Sequence, residues 1–349
     1  MKILLLNDEF YTTGASTAML RLAERLVQNH EVSVLPRIDG QGEIRKQFEA
    51  LGIPIVKDLA GQPDLIVSNC ILSGSLVGEL APRCPVIWWV HEAEVGRDLL
   101  LRYPQMAMGF KSATHIVFQT EFQRIVYGSF LFDSPAMVHV LPFWNDAIYR
   151  QQDLQPKPKD KKRIVCIGTI EPRKRMEDTI MAVNAMNSEQ RTGIEVVFIG
   201  KYLQLAEGAR KLSEALPERY RFLGEQPNEE TLRYLASADA FVLASSSESQ
   251  PLTIWEACEL QVPVCLSDLA TYGHIGLKHG VNAMMHPVGN IELLASNLQM
   301  VLCNEDVRRR VTRAGKSLLL GNLTSDWAET FERLIYRVQS QIAVRKMGF

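Results

Sequence analysis

The residue types best suited to chemistry lie in two short segments. The first is Ser245-Ser-Ser-Glu-Ser-Gln-Pro-Leu-Thr-Ile-Trp-Glu256, which carries two carboxylates, Glu248 and Glu256, with seven residues between them. It follows an apolar run, Ala240 to Leu243, and opens a helical pattern containing Trp255, Glu256 and Ala257. A strand–loop–helix unit collects free backbone N–H groups at the helix start, and those donors with the helix dipole favour phosphate. Glu248 falls in the loop. Glu256 falls about one turn into the helix, where a carboxylate can receive paired hydroxyls of the kind ribose offers. The second segment is Ile167-Gly-Thr-Ile-Glu-Pro-Arg-Lys174, after the run Arg163 to Ile167. Gly168 permits a tight exit and close backbone approach. Arg173 and Lys174 supply a bidentate fork and a point charge, which together can take up the charge that builds on a departing phosphate.

Competing chemistries lack their residues. No Gly-x-Gly-x-x-Gly follows an apolar run, and Gly315-Lys316-Ser317 lacks the upstream glycine of a P-loop. There is no Gly-x-Ser-x-Gly nucleophile elbow and no Asp-x-Asp pair to hold a divalent cation. The seven histidines and six cysteines are dispersed, with no metal-ligand or Cys-x-x-Cys spacing, so reduced thiols are expected. A formal net charge of -2 gives no global pull toward nucleic acid. The N-terminal MKILLLNDEF has only a short apolar run, and no stretch reaches the ~20 residues of a membrane span. The expected location is cytoplasmic, with room for contact at the inner face of a membrane.

The elements that must position these residues alternate in type. Lys2 to Leu6, Glu31 to Leu35, Leu65 to Ser68, Val86 to Val90 and His115 to Phe118 read as buried strands. Helical patterns follow each, the first capped by Ser16 and using Met19, Leu22, Ala23, Leu26 and Val27 as its apolar face. The rhythm stops near Pro142, and QQDLQPKPKDKK, residues 151–162, reads as a solvated linker rather than a basic binding patch. It restarts with Arg163 to Ile167, Glu195 to Ile199, Arg221 to Leu223, Ala240 to Leu243 and Val262 to Leu266. Strands apolar on both faces and separated by helices mean parallel sheets covered on both sides, with ligands at their carboxyl ends.

In this setting the glutamate pair, Ala257, Val262-Pro263-Val264 and Ser267-Asp268 resemble the signature of the retaining family 4 glycosyltransferases, glycosyl transferases group 1. Gly280-Val281-Asn282-Ala283 and His286-Pro287-Val288-Gly289 are similar to a further stretch of that family, and Ile167 to Lys174 to its Arg/Lys segment. The resemblance covers most of residues 163–320 and is looser over 1–150. It implies an α/β protein of the GT-B fold, two Rossmann-like domains with a parallel sheet each and a deep interdomain cleft. It also implies a nucleoside-diphosphate-sugar donor, UDP or GDP, with no metal and no other cofactor. By position, Glu248 resembles the glutamate beside the donor sugar ring, and Glu256 the one that binds ribose hydroxyls. Amides near Leu252, Thr253 and Ile254 would meet the diphosphate, which Arg173 and Lys174 would stabilise as it leaves. By analogy the base would lie near Phe222 to Gln226. Ser249 and Pro251 stand where the family commonly has glycines, and Pro251 removes one N–H from the loop.

The first half says less. Gly14, after the first strand, is similar to the family's glycine-rich loop near the donor phosphates, and His91, ending Val86 to Val90, to a histidine that contacts the donor sugar. Glu92, Glu94, Asn7 and Asp8 are weaker candidates for the acceptor side. Residues 97–111 mix apolar and basic side chains, readable as a peripheral membrane contact or, with Pro104 interrupting, as core. The expected domains are an acceptor-binding one over 1–150, a linker over 151–162, a nucleotide-sugar-binding one over 163–325, and a helix over 326–349 that packs back on the first. The expected activity is metal-independent, retaining sugar transfer to an acceptor hydroxyl, with Glu248, His91, Arg173 and Lys174 as the catalytic set. Alternatives are a nucleotide-sugar epimerase on the same fold and a non-catalytic nucleotide-sugar-binding protein.

Overall fold

In the computed structural model, which describes residues 1–59, 61–143, 160–322 and 327–346 with side chains to residue 340, the apolar runs form two parallel sheets. The chain divides into two units, Met1–Trp144 with Ser325–Phe349, and Asn145–Thr324.

The first unit holds β1 (Lys2–Asn7), β2 (Glu31–Pro36), β3 (Leu65–Asn69), β4 (Val86–Val90), β5 (His115–Phe118) and β6 (Met137–Val140). Their order is β2-β1-β3-β4-β5-β6, all parallel. The five residues of β4, Val-Ile-Trp-Trp-Val, are all buried, as strands covered by helices on both faces must be. The C-terminal helix Trp327–Lys346 belongs to this unit. Its Phe331 ring lies 4.8 Å from Trp89, its Trp327 ring 4.5 Å from Phe143, and its Glu332 accepts from Arg25 at 3.1 Å.

The second unit holds β7 (Lys162–Ile167), β8 (Ile194–Ile199), β9 (Tyr220–Phe222), β10 (Ala240–Leu243), β11 (Val264–Ser267) and β12 (Met284–His286). Their order is β12-β11-β10-β7-β8-β9. Chain progression reverses between β7 and β10, so the loops leaving these two neighbours diverge and open a crevice at their carboxyl ends. Both segments singled out for chemistry leave the sheet at this point.

Several boundaries differ from the sequence reading. The first helix runs Gly14–Leu26, capped by Thr13, whose hydroxyl accepts the Ser16 N–H. Ser16 is buried inside it and donates to the Glu9 carbonyl. Gly14 is therefore the first helical residue and not part of the preceding loop. Gln261 takes a left-handed conformation (φ 55), and the Val262 N–H folds back to the Ala257 carbonyl, so β11 starts at Val264 rather than Val262. The strand expected at Arg221 to Leu223 lies at Tyr220–Phe222. β6 and β12 were not expected; both are sheet edges, short, and without a Val/Ile/Leu run. Residues 151–159 of the expected linker lie outside the described residues, and its last residue, Lys162, begins β7.

The segment 97–111 divides between the two readings. Leu100 and Phe110 are core, with Leu99 and Met106 packed against it, whereas Leu101 and Met108 are exposed. Among the described residues no helix is long and apolar enough to cross a membrane.

Candidate active site

Glycines stand just past the ends of three strands of the second sheet, and this rim shapes the site. Gly168, Gly200 and Gly224 have φ of 141, 142 and 69°, in or near territory that L side chains enter only with strain. The register of β7 on β8 pairs Ile167 with Ile199, so Gly168 and Gly200 leave side by side. Their backbones are laced: the Gly168 N–H donates to Ile199 and the Gly200 N–H to Gly224, each at 2.9 Å. A Cβ on Gly200 would sit 2.1 Å from the Gly168 carbonyl oxygen, so this approach requires glycine.

The flat rim gives Lys174 its path. After Gly168 the chain makes a short turn over Pro172–Lys174, and Arg175 takes a left-handed conformation (φ 47) before the helix Met176–Ala185. A Cβ on Gly168 would meet the Lys174 Cε at 3.4 Å, so the lysine stem lies across the glycine. Arg173 and Lys174 both reach the loop after β10. Arg175 turns instead to Asp178 on its own helix, at 2.8 and 2.9 Å.

Glu248 is the meeting point. Lys174 Nζ donates to its Oε1 at 2.6 Å, Ser245 Oγ donates to the same oxygen at 2.6 Å, and Arg173 Nη1 stands 3.6 Å from it. None of these contacts uses Oε2. Arg173 also donates to the Ser247 carbonyl and to Glu171 Oε1, each at 2.8 Å, and its own carbonyl accepts the Ser246 N–H at 2.9 Å. Burial pushes the Glu248 carboxyl up, but the Lys174 and Arg173 charges and the hydrogen bonds from Lys174 and Ser245 outweigh it. The net shift is downward, so the buried carboxyl is held ionised.

The helix Leu252–Glu259 starts behind this loop, with Pro251 as its N-cap residue and no side-chain cap. The Ile254 N–H is closed onto the Pro251 carbonyl at 3.2 Å, which leaves the amides of Leu252 and Thr253 as the uncapped donors of the first turn. Glu256 lies on the second turn of this helix and is buried.

The structure thus brings Gly168, Arg173, Lys174 and Glu248 together, with Leu252, Thr253, Ile254 and Glu256 on the adjoining helix. It adds Ser245 and Gly200, which sequence reasoning passed over. A signal for Gly200 was present, since Ile199-Gly200 repeats Ile167-Gly168 at the end of the next strand. Ser245 was hidden within a run of three serines.

Gly14 and His91 belong to the other unit. A Cβ on Gly14 would meet nothing within 4 Å, so no described contact demands glycine there. His91 ends β4 with its ring 4.6 Å from Trp89, and its Nδ1 lies 3.0 Å from Gln119 Nε2. That amide can only donate, so Nδ1 accepts and the proton sits on Nε2, which has no partner among the described residues. Burial drives the His91 pKa down to about 3, keeping the ring neutral. Asn7 and Asp8 leave β1 beside β3, where the order of the first sheet reverses. Asn7 Oδ1 accepts from Asn69 at 2.8 Å, and Asp8 pairs with Arg37. The Glu92 carboxylate accepts the Ile71 N–H at 2.8 Å.

Residues 149–318 match the family model described as glycosyl transferases group 1. The putative teichuronic acid biosynthesis glycosyltransferase TuaC of Bacillus subtilis (strain 168) is 29% identical over 122 residues, 35% of this chain and 28% of the relative. Phosphatidyl-myo-inositol mannosyltransferase of Mycobacterium leprae (strain TN) is 27% identical over 172 residues, 49% of this chain and 45% of the relative. The matched stretch thus spans less than half the length of either relative. Among solved structures, Anabaena Alr3699/HepE in complex with UDP-glucose superposes with a TM-score of 0.76 at 16% identity, covering 98% of this chain and 100% of that one. Sucrose-phosphate synthase from Thermosynechococcus elongatus gives 0.75 at 14%, with the same coverage. The fold is GT-B, two α/β units each built on a six-stranded parallel sheet. The match to glycosyl transferases group 1 lies within residues 149–318, and the fold of the chain is GT-B.

Proposed function

We propose that this chain transfers a sugar from a nucleoside diphosphate, UDP or GDP, to an acceptor hydroxyl, with retention of the anomeric configuration and without a metal. The observation that carries the reading is the cluster of Lys174, Arg173 and Ser245 around Glu248, at the sheet reversal and inside the family-matched residues. Two fixed cations beside uncapped helix amides suit a departing diphosphate, whose negative charge grows as the glycosidic bond breaks. Lys174 and Arg173 take up that charge. Glu248, kept ionised, orients the sugar through a hydroxyl. Retention follows a front-side route, in which the leaving phosphate accepts the proton of the incoming hydroxyl and no enzyme carboxylate is glycosylated.

The reading is tested by incubating the full chain with UDP-glucose, UDP-galactose, UDP-N-acetylglucosamine and GDP-mannose, with and without candidate acceptors, and measuring free nucleoside diphosphate. Acceptor-dependent release and an NMR-determined product anomer matching the donor are expected. Replacing Glu248 or Lys174 by Ala lowers turnover at least tenfold, about 1.4 kcal/mol in the barrier. Interconversion of donor sugars with no acceptor would identify an epimerase instead, and a trapped glycosyl adduct on a carboxylate would refute the front-side route.

A further inference from the structure

One buried polar group beside Glu248 has no role in the chemistry above. Tyr272 lies on the short helix Ala270–His274 that follows β11, is 0% exposed, and its hydroxyl has no hydrogen-bond partner among the described residues. Leaving such a hydroxyl unpaired costs about 1–3 kcal/mol, so packing alone would favour phenylalanine. The preceding residue, Thr271, donates its hydroxyl to the Ser249 carbonyl at 2.7 Å, which pins this helix to the loop one residue past Glu248. The phenol is within electrostatic reach of the site: after burial, Glu248 is the next influence raising its pKa, and Arg173 opposes them.

Glu248 itself is half used. Its described contacts, from Lys174, Ser245 and Arg173, all converge on Oε1. A ligand group that answers both an unpaired phenol and an unused carboxylate oxygen must accept and donate at once. A phosphate oxygen could accept from the phenol but is repelled by the carboxylate. An ammonium could donate to the carboxylate but leaves the phenol unpaired. A hydroxyl does both.

We propose that Tyr272 and Oε2 of Glu248 form one recognition element for a single hydroxyl of the transferred sugar, the phenol donating to that oxygen and the carboxylate accepting its hydrogen. The inference rests on the sugar-transfer reading and makes Tyr272 a specificity-determining residue of the donor site. A pocket built to hydrogen-bond a substrate hydroxyl rejects the analogue without it far more strongly than an apolar pocket discriminates by size.

The test compares the wild-type chain with Tyr272→Phe. The donor from the four-member panel that turns over is used, together with its monodeoxy analogues. Tyr272→Phe is expected to lose at least tenfold in kcat/KM for the parent donor. Its affinity for the bare nucleoside diphosphate stays unchanged and its melting temperature is not lowered. One monodeoxy donor suffers a comparable loss with the wild-type chain, and changing Tyr272 as well costs it nothing further. Wild-type kinetics in Tyr272→Phe overturn the proposal, as does an equal response to every deoxy donor. A lowered melting temperature with weakened diphosphate binding assigns Tyr272 a structural role and overturns it too. If the wild-type chain releases no diphosphate from any of the four donors, the sugar-transfer reading fails first, an outcome distinct from failure of Tyr272 alone.

Discussion

The Lys174–Glu248 pair can be dissected by a double-mutant cycle using Lys174→Met and Glu248→Gln, both close to isosteric. The two side chains are 14% and 8% exposed and meet at 2.6 Å, so solvent screens them little. A charge-assisted hydrogen bond contributes about 1.5–3 kcal/mol, and stripping one partner from a fully buried pair costs about 3–5 kcal/mol. After Lys174→Met the carboxylate still has Ser245 at 2.6 Å and Arg173 at 3.6 Å, which places the loss near the lower figure, about 2 kcal/mol. For a unit the size of Asn145–Thr324 this is about 4–8 °C in melting temperature. The coupling energy between the two changes is expected at about 1.5 kcal/mol. Because the chain has two units, the readout is urea-dependent amide exchange of the 240–260 segment, which reports the second unit alone. The cycle also has a pH signature. The Glu248 pKa lies below its ordinary 4.5, so its stabilising effect is complete above that value and is lost as pH falls through the lowered folded value. In Lys174→Met the loss begins at higher pH. A coupling within ~0.3 kcal/mol of zero, or an unchanged acid profile in Lys174→Met, would refute the argument that this pair holds the carboxylate ionised.

Gly200→Ala places a methyl group 2.1 Å from the Gly168 carbonyl oxygen at φ 142, so it is expected to destabilise the second unit by about 1–3 kcal/mol and to lower turnover by shifting Gly168 under Lys174; calorimetry and the diphosphate-release assay check both. Arg163 is fully buried against Glu195 at 2.6 Å and Ser237 at 2.6 Å, so Arg163→Met is expected to cost about 3 kcal/mol of stability by leaving that buried carboxylate with only the more distant Arg221, at 3.8 Å, measurable by urea denaturation. The depressed His91 pKa means that the stability of the first unit is complete above the ordinary value of 6.5 and declines as pH drops toward about 3; His91→Asn flattens that part of the unfolding profile, and an unchanged slope counts against burial as the cause. Gly14→Ala is expected to leave the melting temperature unchanged within a degree, since its Cβ meets nothing, and any loss of turnover then reports ligand approach.

The parts of the molecule that were legible in the sequence are those governed by neighbours along the chain. β4 and β10 lie where uninterrupted apolar runs put them, because a strand buried on both faces has no polar position to blur its ends. Gly168, Arg173 and Lys174 were readable as one exit turn, and Glu248 as a loop carboxylate. What was not readable depends on which loops the sheet order brings together. Nothing local to Ser245 says that its hydroxyl shares an oxygen with Lys174. Tyr272 sits amid apolar and small residues, where a phenol looks like core, and only its unpaired hydroxyl beside the Glu248 loop separates it from a phenylalanine. The edge strand β6 escaped because a half-covered strand needs no continuous apolar run, and β12 because it is only three residues long and ends in a histidine. The helix start at Gly14 was misplaced because Thr13 and Ser16 are equally good caps in isolation, and burial of Ser16 against the Glu9 carbonyl decides between them.

Four linked ionic side chains, Glu171, Arg173, Lys174 and Glu248, sum to no net charge: two cations face two carboxylates. An inorganic phosphate arriving here finds each cation already engaged and must displace a carboxylate to reach it, with nothing to offer that carboxylate in return. A neutral sugar finds a carboxylate oxygen but no free cation. A molecule that carries an anion and a hydroxyl on one frame can do both at once, drawing the cations to itself while satisfying the oxygen it uncovers. On the proposed reading the cluster works as a conjunction, yielding its cations most readily to a ligand that also satisfies the carboxylate. In a solution rich in free phosphate and free sugar, that balance of charge would favour the joined molecule over either part alone.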